Sequence, residues 1–217
     1  MRVLPLVCIG IVAWSSCDSG DPSTAGLGSV ALAVVDDDTY REAECQVYRE
    51  LLAYDDQSGR LPLWGGRRVI LMAITKQGYH GNTGEIVEEH KKAARLSQTR
   101  ELVTHDLLDA YEEINRHPRV LTSDLEFGQG VKVVGEKELD AIMGETNSDR
   151  YERFHREYGE SACLLSVSRV AFGADGSVAY SDFGFTVGGR HARGGFAILR
   201  RSGTRWIIVE VVVREVA

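Results

Sequence analysis

The last third of the chain admits few folds. From Ala162 to Val216, apolar, β-branched and aromatic residues recur in runs separated by turn signals. The run Ala162–Phe172 is followed by G-A-D-G-S at 173–177. Val178–Val187 is followed by a glycine-rich loop, Gly188–Gly195. Phe196–Arg200 leads through a tight R-S-G-T turn into Arg205–Val216. Runs of this length bounded by Gly, Asp and Ser read as strands, and short turns join antiparallel neighbours. The segment is therefore expected to be a β-meander. In its final strand a period of two puts Ile207, Val209, Val211 and Val213 on one side, expected to face the core. Trp206, Ile208, Glu210, Val212 and Arg214 form a mixed, partly exposed side.

Upstream, the apolar period changes to that of helices. Thr39 is expected to open a helix through a capping box with Glu42, and Tyr40, Ala43, Val47, Tyr48, Leu51 and Leu52 form its stripe. Val69–Thr75 reads as a buried strand. Residues 76–98 read as a polar loop with some helix around Glu85–Arg95. A helix from Thr99 or Thr104 runs to Arg116 and is stopped by Pro118. A short strand, Val131–Val134, precedes helices at Glu136–Met143 and Asp149–Tyr158, the last closed by Gly159. These elements give one α+β domain over residues 39–217. Its helices are expected on one face of an antiparallel sheet ending in the C-terminal β-meander, an arrangement similar to cystatin-like or NTF2-like folds.

The N-terminus carries a different kind of signal. Arg2 gives a basic start, Val3–Ala13 is apolar but too short to span a bilayer, and Ser15 and Ser16 lead into Cys17 and a polar tract. That order resembles a bacterial lipoprotein signal, in which cleavage leaves the cysteine as the lipid-bearing N-terminus. Residues 1–17 are thus expected to be a signal peptide and 18–38 a tether rich in Ser, Gly, Asp and Ala, within which Val30–Val35 has the composition of a short strand. The resemblance implies lipidation at Cys17 and an extracytoplasmic, membrane-anchored location in the cell envelope. Ordinary secretion with cleavage near Ser16 is the alternative.

Cys8 leaves with such a signal and Cys17 is lipidated, so Cys45 and Cys163 remain. An oxidising compartment permits a disulfide between them. It would close a long loop and stabilise the fold by about 4–5 kcal/mol in the chain-entropy view. Two separate buried thiols are the other reading. The net charge of −7 and the pI of about 5.4 argue against nucleic acid as a partner, which calls for a basic face.

The order YERFHREYG, LLSVSRVAFGADGSVAY, a glycine-rich loop and GGFAILRRSGTRWIIVEVV resembles a group of uncharacterised secreted bacterial proteins. Tyr151, Phe154, Tyr158, Ser168, Val170, Phe172, Gly194, Leu199, Gly203 and Trp206 carry the resemblance. It implies a fold and a location but no mechanism. Each of these residues also reads as a folding signal.

The chemistry-bearing residues do not assemble into a recognised motif. The six histidines, His80, His90, His105, His117, His155 and His191, show no metal-ligand spacing. The sequence holds no G-x-S-x-G, P-loop or G-x-G-x-x-G pattern. One surface feature is chemically specific: in GGRHARGG, Arg190, His191 and Arg193 lie between glycine pairs, suited to gripping a carboxylate or phosphate. A solvated loop is the other reading. No cofactor and no metal is expected. The expected function is non-enzymatic binding, of an envelope protein or a small anionic ligand, by a lipoprotein held to the membrane by its N-terminal lipid. A hydrolase whose catalytic residues converge only in three dimensions is the alternative.

Overall fold

The structure, a computed structural model, describes residues 37–54, 67–75, 83–94, 97–122, 127, 130–143, 149–187 and 192–215. All of them fall in one compact unit, Val34–Ala217. The elements run α1 (Asp37–Ala53), β1 (Val69–Met72), α2 (Thr83–Ala93), α3 (Ser97–Leu102), α4 (His105–Asn115), β2 (Val131–Val134), α5 (Glu136–Met143), α6 (Arg150–Tyr158), β3 (Cys163–Val167), β4 (Ala171–Phe172), β5 (Val178–Thr186), β6 (Ala192–Ser202) and β7 (Arg205–Glu215). The chain is α+β, as expected.

The sheet is mixed rather than wholly antiparallel. Its order is β2-β1-β3-β5-β6-β7, with β4 also paired to β5. β1 is parallel to both β2 and β3, Val69 standing opposite Val131 on one side and Cys163 on the other. Parallel neighbours need long crossovers, and the helices α2–α4 and α5–α6 supply them. From β3 onward every pairing is antiparallel, so the expected meander is present.

Both faces of the sheet carry helices, which corrects the one-face expectation. The alternation of β1 shows why: Val69 and Leu71 join α1 residues Val47, Tyr48 and Leu51 in one cluster, while Ile70 joins Leu139, Phe154 and Tyr158 of α5 and α6 in another. On that second face a further cluster packs Leu107, Leu108 and Tyr111 of α4 against Tyr180, Phe196 and Ile198. Among the described residues α1 is the one helix in the cluster on its face, which is compatible with the expected helix-on-sheet arrangement.

Local boundaries follow from end chemistry. Helix α1 starts at Asp37, two residues before the expected Thr39 cap, with Asp37 and Asp38 in the first turn where carboxylates favour the helix dipole. Asp37 and Asp38 thus belong to the helix and not to the expected tether. Thr104 caps α4, its hydroxyl accepting from the Leu107 N–H at 3.2 Å. Gly203, at φ +62°, makes the β6–β7 turn. The expected strand Ala162–Phe172 is interrupted at Ser168–Val170, between β3 and β4.

The face assignment in β7 also changes. A register shift between Ile198 and Leu199 of β6 leaves Glu210 opposite Ile198 and Ile208 opposite Leu199, so Val209 is an extra residue. One bulge resets a period of two. Trp206 and Val212 are therefore buried, while Ile207 is 53% and Val213 40% exposed. Val211 is partly buried against the α1-side cluster.

Candidate functional site

The polar residues of this fold converge on the interruption between β3 and β4. Three residues there, Ser168, Arg169 and Val170, leave the regular ladder, so their backbone groups need other partners. Each is supplied. The Ser168 N–H donates to Asp182 O at 2.9 Å, and Tyr48 Oη donates to Ser168 O at 2.8 Å. Asn115 of α4 takes both groups of Arg169, accepting its N–H at 2.7 Å and donating to its carbonyl at 3.2 Å. The Val170 N–H donates to Glu44 Oε1 at 3.1 Å, and Tyr40 Oη donates to Val170 O at 2.5 Å. Tyr40, Glu44 and Tyr48 come from one face of α1, four residues apart, so a single helical stripe reads the interruption.

Glu44 is the centre on the α1 side. It is 1% exposed. Arg169 Nε donates to its Oε1 at 3.3 Å. Arg119 Nη1 lies 3.0 Å from its Oε2, close enough for an ion pair but off line for a hydrogen bond. Arg119 also pairs with Asp37, and the Arg169 guanidinium lies over the Tyr40 ring at 5.5 Å. Burial raises the Glu44 carboxyl above its ordinary range, and the two arginines offset this only in part. Burial, followed by the nearby Glu44 charge, also raises the Tyr40 and Tyr48 hydroxyls.

Asp182 is the centre on the opposite face. Tyr180 Oη donates to Asp182 Oδ1 at 2.7 Å and Tyr111 Oη to Oδ2 at 3.0 Å. The Tyr180 hydroxyl is 3.1 Å from both ring nitrogens of His90, which is itself buried against Phe196 at 4.6 Å between ring centroids. Ser168 Oγ accepts the Asp182 N–H at 2.8 Å. The two centres therefore meet, through Ser168, at the same interruption. Two strands further out Thr99 donates to Glu210, which shares a row with Tyr180 and Ile198 across β5, β6 and β7. Burial and the Asp182 charge push the Tyr111 hydroxyl well up.

The expected site residues fare differently. Cys17, Arg190 and His191 lie outside the described residues. Arg193 is half-buried in β6, opposite Phe185 on one side and Glu215 on the other. His155 Nε2 of α6 is 3.0 Å from the carbonyl of Val187. Cys45 and Cys163 are free, buried thiols, the second of the two readings open from the sequence. Cys163 faces the cluster beneath α1 from β3, whereas the core stripe of α1 runs through Glu44, Val47, Tyr48 and Leu51 and leaves Cys45 on its flank.

Sequence reasoning passed over Glu44, Asp182 and Asn115. A signal was present for the first two. Glu44 continues the apolar stripe of α1 by one position, and Asp182 interrupts an aromatic strand, so each is an acid where burial is expected. Among the described residues no group of three or more His, Cys, Asp or Glu side chains is placed to hold a metal ion. Among them, too, no helix is long and apolar enough to cross a membrane. No protein family, curated protein or solved structure matches the chain.

Proposed function

We propose that this chain is a cell-envelope lipoprotein, anchored through acyl chains on Cys17, whose folded unit acts by binding rather than by catalysis. The sequence order Arg2, Val3–Ala13, Ser15, Ser16, Cys17 supports the anchor. One observation carries the binding reading: the carboxylates of Glu44 and Asp182 are engaged by the protein itself. Glu44 is held by two arginines and the Val170 N–H, and Asp182 by two tyrosine hydroxyls. A general base needs a lone pair aimed at substrate, and these oxygens are aimed at the fold. The partner classes are another envelope protein or a small anionic ligand at the loop 188–195.

The test has two arms. In a bacterial host fed an alkyne-bearing fatty acid, wild type should take up label and sediment with membranes, and Cys17→Ser should do neither. Unlabelled wild type with cleavage elsewhere would overturn the anchor. In the second arm, wild type and Asp182→Asn are compared on ester, peptide, glycoside and phosphate substrates.

That second arm also tests a hydrolytic reading, favoured by the continuous line His90, Tyr180, Asp182. Hydrolysis by wild type that disappears in a folded Asp182→Asn variant would establish the hydrolase and remove the binding reading.

A further inference from the structure

The geometry points to the tip of the β6–β7 hairpin as a membrane contact that docks on an anionic phospholipid bilayer. The tip projects. β5 begins at Val178, opposite Arg200, so the pairs Arg201–Trp206 and Ser202–Arg205 lie past its end. Residues 200–205 are exposed, Trp206 turns in against Phe172, and Ile207 is 53% exposed. Arg200 stands opposite Ile207, and Arg205 lies two residues before it, so both arginines share the face of Ile207. Arg201, opposite Trp206, extends the charge to the other face. From Ala197 to Val209 the sequence holds three arginines and no acid, in a chain of net charge −7. Among the described residues Arg205 is the one of the three with an ion pair, to Glu50 at 3.7 Å. The adjoining turn is tied on by the Arg201 N–H, which donates to Ser177 O at 2.8 Å. Its acid, Asp175, is taken up by the Ser177 N–H at 2.9 Å and the Ser177 hydroxyl at 2.8 Å.

Charge and apolar surface together select the occupant. An anionic bilayer sets phosphates outside hydrocarbon, and the tip sets guanidinium groups around an isoleucine. Guanidinium binds phosphate through paired hydrogen bonds. Each cation close to such a surface strengthens binding roughly fivefold, and buried apolar area adds to it. A small phosphate or a soluble polyanion would use the arginines and leave Ile207 in water. A specific protein partner calls for roughly 20–30 residues a side, and the exposed tip is residues 200–205 with Ile207. A bilayer demands no matching shape, so a small projecting tip suffices. The contact goes beyond the anchor proposed at Cys17 and does not depend on it, because the charge and the exposure belong to the folded unit.

The test uses the full chain carrying Cys8→Ser and Cys17→Ser, so no acyl chain forms and the result is separate from that of the anchor. Cys45 and Cys163 are buried and stay unlabelled. An environment-sensitive fluorophore is attached at Ile207→Cys or, as a control, at Ser161→Cys. Ser161 is exposed before β3, at the other end of the sheet and roughly 25 Å away along the strands. With vesicles of phosphatidylcholine and phosphatidylglycerol, emission at 207 should shift to the blue and brighten, and about 0.5 M salt should reverse this. Emission at 161 should not change, and vesicles of phosphatidylcholine alone should leave both positions unchanged. Arg200→Gln, Arg201→Gln and Arg205→Gln together should weaken the response at 207 roughly a hundredfold in lipid concentration, with an unchanged melting curve. No shift at 207, an equal shift at 161, or a shift that persists without anionic lipid would overturn the proposal, and none of these outcomes needs the arginine variants. So would an equal blue shift with soluble polyphosphate and no vesicles, since the tip would then be a general polyanion site.

Discussion

Asn115 closes both backbone groups of Arg169, accepting the N–H at 2.7 Å and donating to the carbonyl at 3.2 Å. A carboxamide carries an acceptor oxygen and a donor nitrogen side by side, so one side chain can do both. Its own position is fixed by a second donation, to Tyr111 O at 2.9 Å. Asn115 is wholly buried, so water cannot replace it without rearrangement.

Asn115→Ala should therefore destabilise the fold by about 1–3 kcal/mol, because it strands the Arg169 N–H and leaves the Arg169 carbonyl with the Ser168 hydroxyl as its one remaining donor. Asn115→Asp keeps the acceptor, loses the donor and buries a charge, so it should cost at least as much. Urea titration followed by tryptophan fluorescence measures both. An Asn115→Ala midpoint equal to wild type would show that the interruption is held by α1 alone.

Glu44 makes a prediction about pH. Burial raises its carboxyl above the ordinary value of 4.5. A group with a raised pKa in the folded state contributes stability that is fully present below the unfolded pKa and is lost as pH rises through the folded pKa. Glu44→Gln keeps an acceptor for Val170 and Arg169 but does not titrate. The stability of wild type relative to Glu44→Gln should thus be greatest below about pH 4.5 and should fall as pH rises above it. Thermal melts of the two proteins from pH 4 to pH 8 check the sign. A difference that grows with pH would mean that the two arginines outweigh burial.

How much of this was legible beforehand follows physical lines. The meander, α5, α6 and the cap at Thr104 rest on local signals, turn residues and apolar periods, and the sequence displays them. The parallel pairing of β1 with β2 and β3 rests on contacts between segments far apart in the chain, and no local pattern encodes it. The bulge at Val209 is likewise invisible in a strand of near-uniform aliphatic residues, yet it exchanges the faces of half of β7. The polar centres were partly legible: an acid inside an apolar stripe, as at Glu44, announces a buried partner. Which partner it finds, here Arg119, Arg169 and the Val170 N–H, depends on the interruption after Val167, which the sequence disguises as one long strand.

The bulge gives a sharp comparison in β7. Trp206 is 3% exposed and packs on Phe172 at 5.4 Å between centroids. Trp206→Ala should cost about 3–5 kcal/mol. Ile207, next in the chain, is 53% exposed, and Ile207→Ala should change stability by only about 0.5 kcal/mol. Chemical denaturation of both variants would place the strand face directly. Equal losses would mean that Ile207 is covered and the face assignment is wrong.

Two glycines of the hairpin are needed for different reasons. A Cβ on Gly195 would stand 2.0 Å from Val212 O and 2.8 Å from the Phe183 ring. Backbone on the far side cannot move without shifting β7, so Gly195→Ala should destabilise by about 1–3 kcal/mol or more. Gly203 has open space but φ +62°, so Gly203→Ala should cost only about 1–2 kcal/mol of backbone strain. Gly203→Asn should recover part of that, since Asn tolerates the left-handed region, whereas Gly195→Asn should be worse than Gly195→Ala. Melting curves of the four variants decide whether space or backbone angle governs each position.

The two described cysteines should behave as inert thiols. Both are buried and free. Burial raises the Cys45 thiol and pushes Cys163 up to about 11. The thiolate is the reactive form, and at pH 8 a thiol with that pKa is ionised to only about one part in a thousand. Folded protein treated with iodoacetamide should therefore remain unmodified at both positions. In urea, with no reductant added, both should alkylate, as read by peptide mass mapping of the segments holding Cys45 and Cys163. If alkylation in urea instead requires prior reduction, the two residues are bridged in the native protein, and α1 must sit closer to the start of β3 than the structure places it.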